Sequence, residues 1–302
     1  MQSAAIAACS LAARQSFVWK CAGHTLALGT ATRVMGILNV TPDSFSDGGR
    51  YTTIEAAVAH GRRLVEEGAD IVDVGGESTR PGAQTVEASE EMARVLPVIE
   101  ALAGTVSVPI SIDTYKASVA EAALKAGAAI VNDISGFRFD ARMPEVVARY
   151  GAGVVLMHSR GRPGALHGLS PTADILAEVE ASFHRSLFVA RTAGIDPDCV
   201  VLDPGLGFGK TVEDNLLLLG VLPRLAALGR PLLVGPSRKS FIGMVTGKPN
   251  PADRLLGTAA SVTVAIVGGA HIVRVHDVAA MRECIAMADA VRRAVLERFS
   301  TP

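Results

Sequence analysis

Aromatic residues make up only 4% of this 302-residue chain, with one Trp and three Tyr. That scarcity speaks against a sugar-binding cleft, which stacks rings on aromatic side chains. Charge of one sign is also missing. The formal net charge is −1, so no global basic field exists and nucleic acid is not an expected partner. The four cysteines, Cys9, Cys21, Cys199 and Cys284, form no Cys-x-x-Cys pair and no metal-ligand spacing. They read as small residues in a reducing compartment. No apolar run reaches the length of a membrane span, so no membrane partner is expected. Ala4–Cys9 is apolar but too short for a signal h-region, and no basic n-region precedes it; export is rejected. Gly-x-Ser-x-Gly is absent, which leaves a serine hydrolase unsupported.

What the chain does have is aliphatic and glycine-rich: 49% hydrophobic residues and 30 glycines. This suits parallel strands buried on both faces. Eight short apolar runs recur, Val34–Val40, Ile71–Gly76, Pro109–Asp113, Ile130–Asp133, Gly153–His158, Cys199–Asp203, Pro231–Ser237 and Ile272–Asp277. Each ends in, or runs into, a polar or charged residue. Helical patterns separate the runs and one follows the last. Expected helices are Thr53–Gly68, Ala88–Gly104, Lys116–Gly127, Met143–Gly151 and Thr172–Gly194, most of them stopped by a glycine. A sixth begins near Thr211 and breaks at Pro223. The seventh is split into Ser240–Gly247 and Asp253–Gly268, and the last spans Asp277–Phe299. Eight β–α units predict one α/β domain, a (β/α)₈ TIM barrel over residues 16–302. An open doubly wound sheet is the rival, and it needs a strand-order reversal. Residues 1–15 read as a disordered extension, and Phe17–Ala31 as a β-hairpin closing the barrel bottom.

In such a barrel the strand C-termini meet at one mouth. That mouth collects Asn39, Asp113, Asn132, Asp203, Lys239, Arg274 and His276. A barrel interior is normally aliphatic, so a polar set there reads as a binding site. Asp113 and Asp203 with Asn132 and Lys239 suit the edge of a polar heterocycle presenting N–H and C=O. Metal ligation by the two Asp, or a glycosidase-like acid pair, is the alternative. Asn39 either caps a strand or serves a hard cation such as Mg²⁺. Arg274 and His276 alternate along a strand and so share a face; with Arg80 they read as three cations around an anion such as phosphate. Pro204-Gly-Leu-Gly-Phe-Gly-Lys-Thr211 looks like a phosphate loop but has neither Walker A nor Rossmann spacing. It reads as a flexible glycine turn or, preferably, as a mobile lid carrying Phe208.

Longer motifs carry a specific resemblance. Met35-Gly-Ile-Leu-Asn-Val-Thr-Pro-Asp-Ser-Phe-Ser-Asp-Gly-Gly49 resembles the first signature of the dihydropteroate synthases, and Gly75-Gly-Glu-Ser-Thr-Arg-Pro-Gly82 the second. Ile112-Asp-Thr, Val131-Asn-Asp, Leu202-Asp-Pro-Gly-Leu-Gly-Phe-Gly-Lys210, Ser237-Arg-Lys-Ser240 and Arg274-Val-His-Asp277 follow in family order, so that the resemblance covers residues 33–290. It implies a pterin-binding TIM barrel that joins 6-hydroxymethyl-7,8-dihydropterin pyrophosphate to p-aminobenzoate. It also implies Mg²⁺, a cytoplasmic homodimer and a sulfonamide target. Carried over by resemblance, Asp113, Asn132, Asp203 and Lys239 meet the pterin edge, and Arg274 lies against the ring. Thr79, Arg80, Arg274, His276 and Asn39 form the pyrophosphate and Mg²⁺ set. Phe45, Pro81, Phe208, Lys239 and Ser240 form the p-aminobenzoate pocket, and Asp47, Arg80, Lys239 and His276 are the catalytic candidates. The chain departs from the family at Met157-His-Ser-Arg160 and in the extra residues 1–15. The functional alternatives are a pterin-dependent methyltransferase module and a catalytically silent pterin-binding homologue.

Overall fold

A computed structural model describes residues 14–41, 50–78, 85–162 and 172–299. Among these, two antiparallel strands come first, β1 (Phe17–Cys21) and β2 (His24–Leu28). Strands and helices then alternate: β3 (Arg33–Asn39), α1 (Arg50–Glu66), β4 (Ile71–Gly75), α2 (Ala88–Ala103), β5 (Ile110–Asp113), α3 (Ala117–Lys125), β6 (Ile130–Asp133), α4 (Met143–Tyr150), β7 (Gly153–Met157), α5 (Ile175–Thr192) and β8 (Val200–Asp203). The remainder of the described chain holds α6 (Val212–Gly220), α7 (Leu222–Ala226), β9 (Leu233–Val234), α8 (Ser240–Thr246), α9 (Leu255–Val267), β10 (Ile272–Val275) and α10 (Val278–Phe299).

Strands β3 to β8 pair in parallel in chain order, β10 pairs with β3, and β9 pairs with β10. First and last barrel strands are therefore neighbours, and no strand order reverses, which removes the open-sheet alternative. The remaining seam, β8 to β9, is held by the parallel bridge Leu202–Leu232, with Leu202 N–H donating to Pro231 O at 3.0 Å. The eighth expected run, Pro231–Ser237, narrows to two strand residues because prolines at 231 and 236 cannot donate to a ladder.

Inward-facing Met35, Ile71, Ile130, Val155, Val201, Leu233 and Ile272 form one interior cluster with Trp19, Cys21 and Leu28 of the hairpin. Trp19 is fully buried, and its indole N–H donates to Cys199 O at 2.9 Å. A Cβ on Gly153 would sit 2.6 Å from Cys21 Sγ, so the hairpin is seated directly on the start of β7. The hairpin thus stoppers the N-terminal end of the barrel, as expected, and truncating Trp19 to Ala costs about 3–5 kcal/mol. Outward residues of the same strands pack under the helices.

Residues 1–13 lie outside the described residues. Of the extension expected over residues 1–15, Arg14 and Gln15 are described. Arg14 is tied in, pairing with Asp289 at 2.8 Å and donating to Gly29 O, Thr32 Oγ1 and Ala270 O. A guanidinium with this many acceptors is ordered by them. Two helix ends also differ from expectation. Gly104 after α2 has φ −82, so glycine is not needed there, whereas Gly151 (φ +56) and Gly247 (φ +68) are true left-handed stops. The break in the sixth helical stretch falls at Val221, because Pro223 is accommodated in the first turn of α7.

Candidate active site

Strand register sets the polar layer. Asn39 pairs with Gly75, Gly75 with Asp113 and Asp113 with Asn132, so three of the candidate residues lie in one row across β3 to β6. Asp203 ends β8 opposite Met157. Along β4 and β10 the inward positions step from aliphatic to charged, Ile71 then Asp73 and Ile272 then Arg274. The core therefore grades into the site without a separate scaffold.

Arg274 is the hub of that layer. Its Nε donates to Asp73 Oδ2 at 2.6 Å and its Nη2 to Asp113 Oδ2 at 2.7 Å. Asn132 Nδ2 donates to the same Asp73 oxygen at 3.0 Å. Three neighbouring oxygens remain without any hydrogen-bond partner, Asp73 Oδ1, Ser111 Oγ and Asn132 Oδ1, and all are buried. Burial pushes the Asp113 carboxyl up to about 7; the Arg274 charge works against this, and Asp73 and Glu91 add to it. Burial likewise raises Asp203 to about 6, opposed by the Gly205 N–H and by Lys239.

The segment from Pro204 to Lys210 is not the free lid expected from its glycines. Asp203 Oδ1 accepts from Gly205 N at 2.7 Å, and Asn215 Oδ1 from Gly207 N at 2.6 Å. Leu206 and Phe208 are buried. Gly205, Gly207 and Gly209 all take positive φ, which L side chains rarely adopt, so the glycines serve a tight path rather than slack. A Cβ on Gly205 would come within 2.0 Å of His158 O. The path seats the Phe208 ring beside Tyr115, Ile134 and Met157 and places it under Lys239, whose Nζ is 4.1 Å from the ring centroid. Burial, with Arg274 nearby, lowers Lys239 to about 8.

Lys239 and Ser240 emerge from a turn held in an unusual conformation. Arg238 has φ +58, and its guanidinium is locked on Asp277, with Nε to Oδ2 at 3.0 Å. Arg254 donates to Arg238 O at 2.9 Å and ties this turn to the start of α9. The preceding Ser237 Oγ lies 2.9 Å from His276 Nδ1. His276 was expected as one of three cations. Burial, together with Arg274, Arg238 and Lys239, lowers it to about 3, so it is a neutral imidazole at neutral pH.

Phe45, Asp47, Thr79, Arg80 and Pro81 lie outside the described residues. The flanks of residues 79–84 are tied together, however. Glu77 accepts from Tyr115 OH at 2.8 Å, from Lys116 Nζ at 2.5 Å and, across the segment, from Val86 N at 3.2 Å. Among the described residues no three His, Cys, Asp or Glu gather as a metal cage. Asn39 offers a single neutral oxygen at a strand end, beside Gly75 and Asp113. Among the described residues, that single donor fits a Mg²⁺ that arrives on a phosphate and keeps its waters.

Sequence reasoning missed Asp73, Ser111, Tyr115, Ser237 and the inward role of Lys210. For Asp73 a signal existed: a carboxylate inside an apolar strand, two residues from Ile71 and so on the same inward face.

The chain matches the family model described as "Pterin binding enzyme" over residues 35–276. It is 50% identical over 265 residues to a dihydropteroate synthase of Synechocystis sp., covering 88% of this chain and 92% of that one. Among solved structures, dihydropteroate synthase from Xanthomonas albilineans with 4-aminobenzoic acid is 47% identical with TM-score 0.86, covering 92% of this chain and 99% of that chain. The same enzyme in complex with 7,8-dihydropteroate superposes with TM-score 0.82 at 44% identity, covering 91% and 98%. On this likeness of sequence and barrel together, the chain belongs to the dihydropteroate synthase family of pterin-binding enzymes.

Proposed function

We infer that the protein is a transferase that condenses 6-hydroxymethyl-7,8-dihydropterin pyrophosphate with p-aminobenzoate, giving 7,8-dihydropteroate and pyrophosphate. The observation that carries this reading is the set of buried unpartnered oxygens on Asp73, Ser111 and Asn132 beside the Asp203 carboxylate. An unsatisfied buried polar atom costs about 1–3 kcal/mol. A fused heterocycle with several N–H groups on one edge is the ligand that removes that cost.

Asp113, Asn132 and Asp203 accept the pterin edge, and Arg274, held flat by its two carboxylates, supports the ring. Lys239 stands between this edge and the arylamine, which packs against Phe208 with Ser240, Phe45 and Pro81 completing its pocket. In the reaction the bond from the pterin methylene carbon to pyrophosphate oxygen breaks and the electron pair leaves with pyrophosphate. The arylamine nitrogen forms the new C–N bond and gives up a proton. The weak arylamine nucleophile needs orientation more than a strong base. Thr79, Arg80, Arg274 and His276 meet the leaving group, and Asn39 would hold a Mg²⁺ there, which when bound would supply neutralising charge to the pyrophosphate. Asp47 serves the electron-poor carbon electrostatically. Arylsulfonamides, shaped like p-aminobenzoate, enter the same pocket.

A homodimer is supported by an apolar outer face. Leu256 is 82% exposed and Met287 67%, with Val264 and Val291 beside them on α9 and α10. No helix among the described residues is long and apolar enough to cross a membrane. Free thiols at Cys21, Cys199 and Cys284 suit the cytoplasm. Incubating the protein with both substrates and Mg²⁺ is expected to yield dihydropteroate by mass spectrometry. A methyltransferase module or a silent pterin binder yields none.

A further inference from the structure

The glycine segment after β8 has the look of a phosphate cradle, but its polarity is inverted. A phosphate loop turns backbone N–H groups inward around an anion. Here three carbonyl oxygens turn inward around a cation that the segment itself supplies. Lys210 Nζ donates to Gly205 O at 2.8 Å, His158 O at 3.1 Å and Phe208 O at 3.3 Å. An ammonium has three N–H donors, and all three are used. Asp203, Glu178 and Asp214 act on it through space. Burial pushes Lys210 down to about 7, with Lys239 adding to the fall and the three carboxylates opposing it; the three carbonyl oxygens can be met only by N–H donors.

Three carbonyls gathered on one point repel one another unless a donor stands between them. Two of them belong to the glycine segment and the third to the end of β7, so Nζ joins two separate stretches of chain. The junction is close: the Gly205 backbone is pressed against His158 O with no room for a Cβ. Phe208 is one of the three ligands, and Arg160 N also donates to Phe208 O, at 3.4 Å. Whatever fixes that carbonyl fixes the ring that lies under Lys239.

We propose that Lys210 is a positioning residue for the arylamine pocket, its ammonium setting where the Phe208 ring lies by drawing the carbonyls of His158, Gly205 and Phe208 together. This rests on the assignment of Phe208 to that pocket. Lys210 touches neither substrate.

The test uses the full-length protein with Lys210→Ala, which removes a propylammonium fragment. The KM for p-aminobenzoate should rise about tenfold or more, as expected for loss of charge-assisted hydrogen bonds. Affinity for the pterin pyrophosphate should stay within about threefold. Adding propylammonium chloride should restore the KM, whereas tetramethylammonium chloride, charged but without N–H donors, should not. If Lys210→Ala does not purify folded, Lys210→Gln is read through the two substrate affinities alone, since its side chain fills the space propylammonium would take; a selective but smaller rise in the p-aminobenzoate KM is expected, and an unchanged or unselective one overturns the proposal. An unchanged p-aminobenzoate KM, or an equal loss toward both substrates without propylammonium rescue, overturns the proposal. Phe208→Leu separates the two layers. If Phe208→Leu leaves the p-aminobenzoate KM unchanged, the pocket assignment itself fails. If it raises that KM while Lys210→Ala does not, the pocket stands and the positioning role fails.

Discussion

Ser237 Oγ sits 2.9 Å from His276 Nδ1 and accepts the backbone N–H of the same histidine at 3.2 Å. Ser237 is 4% exposed, so its own proton needs a partner, and Nδ1 is within reach. Donating to Nδ1 makes His276 the Nε2–H tautomer, a neutral hydrogen-bond donor facing the mouth. Ser237→Ala releases that choice. Affinity for the pterin pyrophosphate should fall about three- to tenfold, the scale of one hydrogen bond, with affinity for the pyrophosphate-free pterin unchanged. Calorimetric titration with both ligands checks this; equal weakening of the two would assign Ser237 to packing alone.

Asp73 is the acceptor shared by Arg274 and Asn132. Asp73→Asn keeps the size and removes the charge. The amide oxygen can still accept from Asn132 Nδ2, but Arg274 keeps a charged partner only in Asp113. Stability should drop by about 1–3 kcal/mol and pterin affinity at least about tenfold. Urea unfolding together with pterin titration decides between this and a purely structural Asp73, which predicts the first loss without the second.

How far the chain could be read in one dimension follows from what each residue depends on. The barrel was legible because each of eight aliphatic runs had to be a strand buried on both faces, and each ran out into a polar residue. Asp113, Asn132, Asp203, Lys239, Arg274 and His276 were legible as a group because strand ends share a mouth. The state of His276 was not legible, since its neutrality comes from burial and from Arg238 and Lys239, which join Arg274 around it only in the fold. The segment from Pro204 to Lys210 was misread as slack. Glycine content does not distinguish a mobile loop from a tightly turned one, and the difference here lies in where a lysine side chain folds back. Asp73 was passed over inside an apolar run although its alternation with Ile71 placed it inward.

Acid–base behaviour gives a signed prediction. Asp203 has a raised pKa of about 6 and Asp113 of about 7, so below these values each is protonated and accepts fewer N–H bonds. Lys239, lowered to about 8, loses its charge above that value. Pterin affinity should therefore peak between roughly pH 7 and 8 and fall on the acid side by up to about tenfold per unit, the limbs belonging to the coupled group rather than to single residues. Because bound ligand favours the carboxylates, protons should be released on binding near pH 6. Calorimetry in buffers of different ionisation heat measures this; a flat profile from pH 5.5 to 8 with no proton release would contradict it.

Asn39 contributes one neutral oxygen and no charge. Asn39→Ala should weaken Mg²⁺-dependent pyrophosphate binding about tenfold while leaving the bare pterin untouched, since magnesium takes few protein oxygens and each counts. A titration of each ligand with and without Mg²⁺ is the check. Equal weakening of both ligands, independent of Mg²⁺, would make Asn39 a strand cap.

The central claim is that the acidic, orphan-lined barrel mouth and the Phe208 pocket work on two substrates at one reacting carbon. Pyrophosphate release, measured from the pterin pyrophosphate with and without p-aminobenzoate, tests it most directly. The account predicts sustained turnover with p-aminobenzoate, one pyrophosphate per dihydropteroate formed, and a loss of at least about tenfold in pterin affinity in Asp203→Asn. Pyrophosphate release that is indifferent to p-aminobenzoate, or an Asp203→Asn protein that binds pterin as the parent does, would contradict it.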